Sequence, residues 1–555
     1  MKSKSILRSE AMIKLKRCLL FFSILVLIYA CKENSAEVDK KSQRPNIVII
    51  MADDLGYSDL GCFGGEIQTP NLDALAQKGV RFTQFYNASR CCPSRASLLT
   101  GRYPHQVGMA KNGQTLSPNA ATIAEILKKE GYSTGMTGKW HLSRTKPLKN
   151  KEEQLQLLAH RRDTSIFAPL ESYPYQRGFD EHWGVIWGVV NFFDPFSLVH
   201  NGEAIKEVPD DFYMTDFISD KSVELINQFH EDKNPFFLYI AHTAPHWPLH
   251  ALPEDIEKYK GVYDDGWEAL REKRYQGLIE QGIIVSDSAP IVPNESAKRW
   301  VDCKEKDWEA RHMEAHAAMV DRIDQGIGRV IDKLKETNEY ENTIIFFLAD
   351  NGASPERYLK PGFDRPSQMR NGDKILYRNY DRPGSENTWG YIGAAWAGAI
   401  NAPFRYWKKE SFEGGACSPL IVHWPNGLKS KDNTINKGIS HIMDILPTCL
   451  ELAGIENPKK TIGEDLLGIE GSSIMPLLRQ EKESIHDMLF WEHEGGRALR
   501  INDWKIASLK NHEWELFDLS IDRTESNNLA SQYPQKVTQM EDIWKREWER
   551  IGVEE

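Results

Sequence analysis

"RPNIVIIMADDLGYSDLGC", residues 44–62, holds an unbroken apolar, β-branched run that stops abruptly at two aspartates. A strand with one wet face alternates apolar and polar residues, whereas residues 46–52 read as a strand buried on both faces, the habit of parallel sheets. Runs of the same kind occur in "PFFLYIAHTAPH" (235–246), "TIIFFLADNG" (343–352) and "SPLIVHWP" (418–425). Helical patterns lie between them. "TPNLDALAQKG" (69–79) opens on the capping residue Thr69 and closes on Gly79, and residues 311–335 line up Met319, Ile323, Ile327, Val330 and Leu334 on one stripe. Strands alternating with helices predict an α/β fold with a large, mostly parallel sheet sandwiched by helices.

The strand ends carry the functional signal. Asp53-Asp54, the stretch from His242 to His246, and Asp350-Asn351 each follow directly on a buried run. Strand-end aspartates often do no more than cap turns. Three such tips in one chain predict instead a shared site, because open α/β sheets bind ligands at the carboxyl ends of their strands.

From about residue 478 the pattern changes. "MLFWEHEGGRALRINDWKIASLKNHEWELFDLS" alternates apolar and polar residues with hairpin-like breaks, and "YPQKVTQMEDIWKREWERI" reads as an amphipathic helix. The expected organisation is a signal peptide at 1–30, a tether at 31–43, an α/β catalytic domain at 44–477 and an α+β subdomain at 478–555. Within the larger domain, residues 353–407 form a long insertion containing Trp389, Trp396 and Trp407. Loops of that length are commonly functional, and its place after Asp350 suggests substrate binding.

A chain of 555 residues exceeds one simple core. Its net charge of −11, with no basic block after the leader, argues against nucleic acid and against anionic membrane surfaces as partners. Lys14, Lys16 and Arg17 precede the apolar run "CLLFFSILVLIYA" (18–30), which is short for a membrane span and right for a signal sequence. Together with Cys31 and the polar tether it resembles a bacterial lipoprotein signal, implying export and attachment to the cell membrane by a lipid on Cys31, with secretion after ordinary cleavage as the alternative. Cys62, Cys91, Cys92, Cys303, Cys417 and Cys449 are spaced for neither a zinc site nor a small disulfide scaffold.

"CCPSRASLLTG" (91–101) matches the signature Cys-x-Pro-Ser-Arg-x-x-x-Leu-Thr-Gly of the type I sulfatases, with Cys91 in the first position and Cys92 in a variable one. The resemblance continues in order through Asp53-Asp54, "GKWH" (Lys139, His141), "APHWP" (His246), "ADNG" (Asp350, Asn351) and "FRYWKKESFEGG" (Lys408). "RGFDEHWGVIWGVVNFFDPF" is similar to the bacterial arylsulfatase branch. The resemblance implies a fold of the alkaline phosphatase type and a metal held by Asp53, Asp54, Cys91, Asp350 and Asn351. It also implies that a maturation enzyme oxidises Cys91 to formylglycine, whose hydrate supplies the hydroxyl that attacks sulfur. His246, assisted by Lys408, then protonates the departing alcohol, and His141 takes the proton that lets the aldehyde re-form. Arg95 and Lys139 join Lys408 in offsetting the charge of the sulfate. His242 and Lys409 are the competing choices for His246 and Lys408, and His493 in "WEHEGG" is a candidate for the site rim.

The residue types support that chemistry independently. Three carboxylates and an amide oxygen make a hard site suited to Ca²⁺ or Mg²⁺. Buried alone, these carboxylates and the nearby basic groups would be costly, so each requires the others. The expected substrates are sulfated carbohydrates, either algal polysaccharide fragments (ulvan, carrageenan, fucoidan) or glycosaminoglycans, and model aryl sulfates. A phosphate or phosphonate ester hydrolase of the same fold and an inactive carbohydrate-binding relative are the alternatives. The inactive relative predicts an eroded signature, and every signature residue is present.

Overall fold

In the computed structural model the run after Pro45 is a central strand, β1 (Asn46–Ala52), with all seven residues buried. The structure describes residues 44–145, 150–158, 167–294, 298–378, 380–428, 432–456, 458 and 468–552. The leader, Cys31 and the tether lie outside the described residues.

Alternate side chains of β1 enter different cores. Val48, Ile50 and Ala52 join one apolar cluster, and Ile47, Ile49 and Met51 join another. That is why the run is continuous rather than alternating: both faces are covered. Each fully buried Ile or Val contributes roughly 1.5–3 kcal/mol.

Two helices near the start of the chain follow from their sequences. The first, α1 (Pro70–Lys78), places Pro70 at its first turn, where a missing N–H costs nothing. Thr69 does not cap it by side chain as expected. Its hydroxyl instead accepts from Gly61 N and donates to Asp73. Strand β2 (Val80–Tyr86) then leads to α2 (Cys91–Thr100), buried throughout and ended by Gly101 at φ 66°.

The other strands of the main sheet are β3 (Ser133–Lys139), β4 (Glu181–Val185), β5 (Leu198–His200), β6 (Glu203–Ala204), β7 (Phe236–Ala241), β8 (Thr343–Ala349), β9 (Cys417–His423), β10 (Thr434–Asn436) and β11 (Ser440–His441). Their order is β10-β2-β9-β8-β1-β7-β3-β4-β5-β6, with β11 beside β2. The core strands β8, β1, β7, β3 and β4 are parallel, and β9 runs antiparallel between β2 and β8. Helices α3 (Met214–Asp232) and α4 (Lys306–Glu336) pack together on one face. The stripe read at 311–335 lies on the buried side of α4.

A second, antiparallel sheet runs in order through β12 (Met488–His493), β13 (Gly496–Ile501), β14 (Trp504–Ser508) and β15 (Glu515–Asp518). Helix α5 (Pro534–Ile551) covers it with Trp544, which stacks on Phe490. The small sheet docks through Trp491, whose indole N–H donates to Asn87 O at 2.7 Å, and through Lys505, buried 2.9 Å from Glu413 and 2.8 Å from Glu525. Breaking such a buried pair by removing one partner costs about 3–5 kcal/mol. Residues 46–555 thereby form one compact unit.

Candidate active site

Register explains why the polar tips meet. Ala52 of β1 stands opposite Ala349 of β8, so Asp53 and Asp350 leave neighbouring parallel strands at the same level. On the other side Met51 faces Ala241 of β7, and Ala241 faces Gly138 of β3. The segment carrying His246 and the end of β3 carrying Lys139 therefore emerge beside the aspartates. Gly138, at φ 95°, is needed for this closeness, because a Cβ there would lie 1.9 Å from Ala241 O. Cys91 opens α2, where the helix dipole favours negative charge.

All ten residues singled out in the sequence meet at this end of the sheet. Lys139 Nζ donates to Asp53 Oδ2 at 2.5 Å, and Lys408 Nζ pairs with Asp54 Oδ1 at 2.7 Å. Arg95, fully buried, pairs with Asp350 at 2.8 Å, lies 3.7 Å from Asp53, and donates to Lys139 O. Asn351 Nδ2 donates to Asp54 Oδ1 at 2.7 Å. His246 Nδ1 is bonded to Trp247 O, which leaves Nε2 facing Asp54 Oδ2 at 3.4 Å. The Cys91 sulfur lies close to both Cys92 and His141, and 3.9 Å from Asn112 Oδ1.

The electrostatics follow from burial and pairing. Burial works to raise Asp53, but Lys139, His246 and Arg95 outweigh it and bring its pKa down to about 2. Asp350 goes the other way. Burial, with Asp53 alongside, pushes it well above the carboxylate range despite Arg95. Burial lowers His141 to about 4, so its imidazole is neutral at pH 7. A hydrogen bond from Cys92 pulls the Cys91 thiol well down, and His141, Lys408 and Lys139 help to overcome burial. His246 is held below its usual value by burial, against the pull of Asp54.

These donors fit a hard divalent cation. Asp53 Oδ1 and Asn351 Oδ1 are buried with no hydrogen-bond partner, an expensive state for an oxygen unless another ligand takes it. Asp53, Asp54 and His246 bring ligand atoms within 4.8 Å of one another. The oxygens of Asp53, Asp54, Asp350 and Asn351 suit Ca²⁺ or Mg²⁺ rather than a thiophilic metal.

The backbone around the site is strained. Asp54 (φ 67°), Ser89 (φ 58°), His141 (φ 57°) and Lys409 (φ 82°) all occupy the left-handed region without being glycine. Such residues cost about 1–3 kcal/mol each and concentrate at functional sites.

The competing residues fall elsewhere. His242 is buried with Nδ1 unbonded and feels the charges of Arg329 and Asp216, and Lys409 turns to Glu356 at 3.0 Å. His493, on the small sheet, bonds Ala110 O through Nδ1. Within the insertion, two of the three tryptophans are core residues. Trp389 packs with Trp247 and Tyr377 in a small core of its own, and Trp396 is in the main core, so neither indole faces a ligand. The six described cysteines from Cys62 to Cys449 are all free.

Three residues escaped the sequence reading. Glu356, from the insertion, accepts from Trp247 Nε1 at 2.9 Å and pairs with Arg90 at 3.1 Å and Lys409 at 3.0 Å, with Lys408 at 3.9 Å. Gly188 leaves room for the His141 ring, since a Cβ there would lie 2.1 Å from Nε2. Asn112 flanks Cys91. No local pattern in the sequence marks any of them.

Comparison with known proteins agrees with this geometry. The sulfatase family model matches residues 45–455, and a model of the N-sulphoglucosamine sulphohydrolase C-terminal region matches residues 404–551. An uncharacterised sulfatase of Schizosaccharomyces pombe is 33% identical, over 91% of this chain and 93% of its own. An arylsulfatase of Klebsiella aerogenes is 32% identical, over 79% of this chain and 93% of its own. Among solved structures, Ps i-CgsB in complex with k-i-k-neocarrahexaose superposes with a TM-score of 0.64 at 25% identity, covering 92% of this chain and 94% of that one. The chain belongs to the sulfatase family and is a sulfuric ester hydrolase.

Proposed function

We propose that the protein hydrolyses sulfate esters of carbohydrates at residue 91, with Cys91 oxidised to formylglycine and a divalent cation held by Asp53, Asp54, Asp350 and Asn351. One observation carries this reading: Cys91, at the start of α2, faces a neutral, half-buried histidine on one side and a charge-balanced nest of carboxylates and cations on the other. The hydrated aldehyde would supply a nucleophilic hydroxyl and, through its second hydroxyl, release by elimination. The cation would neutralise the carboxylates and polarise the sulfate. Ca²⁺ suits the larger ligand number better than Mg²⁺.

The chain's own groups have distinct tasks. Lys139, Lys408 and Arg95 hold positive charge around the sulfate oxygens in a site closed to water, where each is worth more than in solution. His246 directs Nε2 into the site and, in its doubly protonated form beside Asp54, delivers the Nε2 proton to the departing alcohol oxygen. His141, neutral at pH 7, accepts a proton at residue 91. Its ring stays in place because Gly188 gives it room.

A carbohydrate leaving group is supported by the oligosaccharide bound to the Ps i-CgsB relative. Attachment to the membrane through Cys31 and processing by a formylglycine-forming enzyme complete the proposal. Its test is mass spectrometry of the peptide covering residues 90–95, alongside sulfate release from a panel of sulfated oligosaccharides. The reading expects a peptide that has lost one sulfur and two hydrogens and gained one oxygen. An unmodified Cys91 in protein that still releases sulfate would overturn it.

A further inference from the structure

Three residues that stand next to groups of the site converge on one carboxylate. Arg90 precedes Cys91, Trp247 follows His246 and Lys409 follows Lys408. Arg90 reaches Glu356 Oε1 at 3.1 Å and Lys409 reaches the same oxygen at 3.0 Å, whereas the Trp247 indole N–H donates to Oε2 at 2.9 Å. Ser354 also donates to Oε2, at 3.2 Å, and Lys408 lies 3.9 Å from it. Glu356 belongs to the insertion at 353–407, and its side chain is only 7% exposed. Burial opposes its charge, but Lys408, Arg90 and Lys409 outweigh burial and hold it well below the usual carboxylate range.

Only a carboxylate suits this position. Oε1 accepts from two cations and Oε2 from an indole, and none of these three partners can accept in return. An amide has a single acceptor oxygen, so glutamine would turn its NH₂ toward either the cations or the indole.

The insertion also encloses the rest of the indole. Trp247 shares a small core with Met369, Ile375, Tyr377, Trp389 and Tyr391, all from the insertion, and its ring lies 4.6 Å from that of Tyr358. Trp247 in turn sets His246. Its carbonyl oxygen bonds His246 Nδ1 at 2.5 Å, and the two rings pack at 4.7 Å. Cys91 and Lys408 have other anchors. Cys91 is fixed in α2, and Lys408 is held by Asp54 and by its backbone N–H to Ala353 O. Of the three, His246 is the one whose ring orientation passes through Glu356.

We infer that Glu356 is a positioning residue: by holding the Trp247 indole it fixes the His246 ring so that Nε2 gives its proton to the departing oxygen as the S–O bond breaks. The inference rests on the sulfatase reading with His246 as its acid, and it gives the insertion a task at the site that needs no contact with substrate.

The experiment compares kcat/KM for phenyl sulfate and 4-nitrophenyl sulfate in the mature native protein, Glu356→Gln, Trp247→Phe and the double variant. Phenol, like the tyrosine side chain, has a pKa of about 10, so its anion needs the proton to depart. The nitro group stabilises the anion, which leaves nearly unaided. Glu356→Gln is expected to lose about 10²-fold on phenyl sulfate, the scale of a displaced acid, and at most about threefold on 4-nitrophenyl sulfate. Trp247→Phe, which removes the indole N–H, should show the same selectivity, and the double variant should lose no more than the worse single one. The ratio of the two constants within one preparation does not depend on how much of it is folded, so a poorly folding variant still reports. An unchanged ratio in Glu356→Gln, whether from equal losses through a loosened fold or from no loss, would overturn the assignment, as would full additivity in the double variant. Absence of 4-nitrophenyl sulfate hydrolysis by the mature native protein would instead strike at the sulfatase reading, and a His246→Ala variant without the selectivity would strike at its acid.

Discussion

Replacing Gly188 by alanine adds one methyl group, and the structure says where it goes. The new Cβ would lie 2.1 Å from His141 Nε2, 2.2 Å from Cε1 and 2.6 Å from Cδ2. To reach normal contact of about 3.5 Å, the imidazole must retreat by about 1.4 Å. The ring can move without breaking a hydrogen bond at Nδ1, which has none. The stability cost should therefore fall at the low end of the roughly 1–3 kcal/mol typical of overpacking. Activity is another matter, because a misplacement of about 1 Å in a reacting group costs roughly 10²-fold in rate.

The assay is steady-state turnover of an aryl sulfate, with thermal unfolding as the control. Gly188→Ala is expected to lose about two orders of magnitude in kcat while unfolding close to the native temperature. If the damage passes through the ring, adding Gly188→Ala to His141→Ala changes nothing further, a non-additive result for two groups in contact. Native turnover in Gly188→Ala, or full additivity in the double variant, would refute the role assigned to His141.

Other consequences follow from the same geometry. Asp350→Ala removes one of three carboxylates from the cation's oxygen cage, so activity should collapse and excess Ca²⁺ restore little of it; full activity in thoroughly chelated native protein would contradict the cage. Burial holds His182, His242 and His441 down to about 3, and His250 and His312 to about 4. Below pH 6.5 the unfolded chain binds these protons and the native protein does not, so stability complete above that pH is lost on acidification. Each imidazole contributes roughly 1.4 kcal/mol per pH unit. Glu525, raised by burial to about 7, and Asp324, raised by burial to about 6, act in the opposite sense and offset part of this loss. The unfolding temperature should thus drop between pH 7 and pH 5, and an unchanged value would contradict the neutral burial of these rings. Cys31→Ser should release the exported protein from the membrane fraction, and native protein found wholly in the soluble fraction would point to ordinary signal cleavage.

The parts of the fold legible in the sequence were those written in contiguous residues. β1, β7 and β8 announce themselves because a strand covered on both faces must be apolar without interruption, and the polar pair after each run marks where the sheet ends. β3 gives no such signal. Its sequence "STGMTGK" trades side chains for close approach to β7 and β4, and glycine carries no hydrophobic period. The candidate site was legible because most of its members follow a strand end or stand in α2 beside a recognisable neighbour, whereas Lys408 lies in a loop and was marked by its motif alone. Glu356 and Gly188 were not, since one acts through contacts that only the folded insertion creates and the other through the absence of an atom. The burial of the insertion's tryptophans was not legible, because a polar-rich loop's own small core leaves no periodic trace.

The central claim is that Cys91, and not its neighbour, performs the chemistry of sulfate release. Cys92 packs into the apolar cluster behind α2, whereas Cys91 faces His141 and the basic groups of the site. The most direct measurement is sulfate released from an aryl sulfate by Cys91→Ala and Cys92→Ala, each first shown to unfold at the native temperature. Cys91→Ala is expected to release none, and Cys92→Ala to keep most of the native rate. Turnover by Cys91→Ala together with its loss in Cys92→Ala would contradict the assignment of the nucleophile and the mechanism built on it.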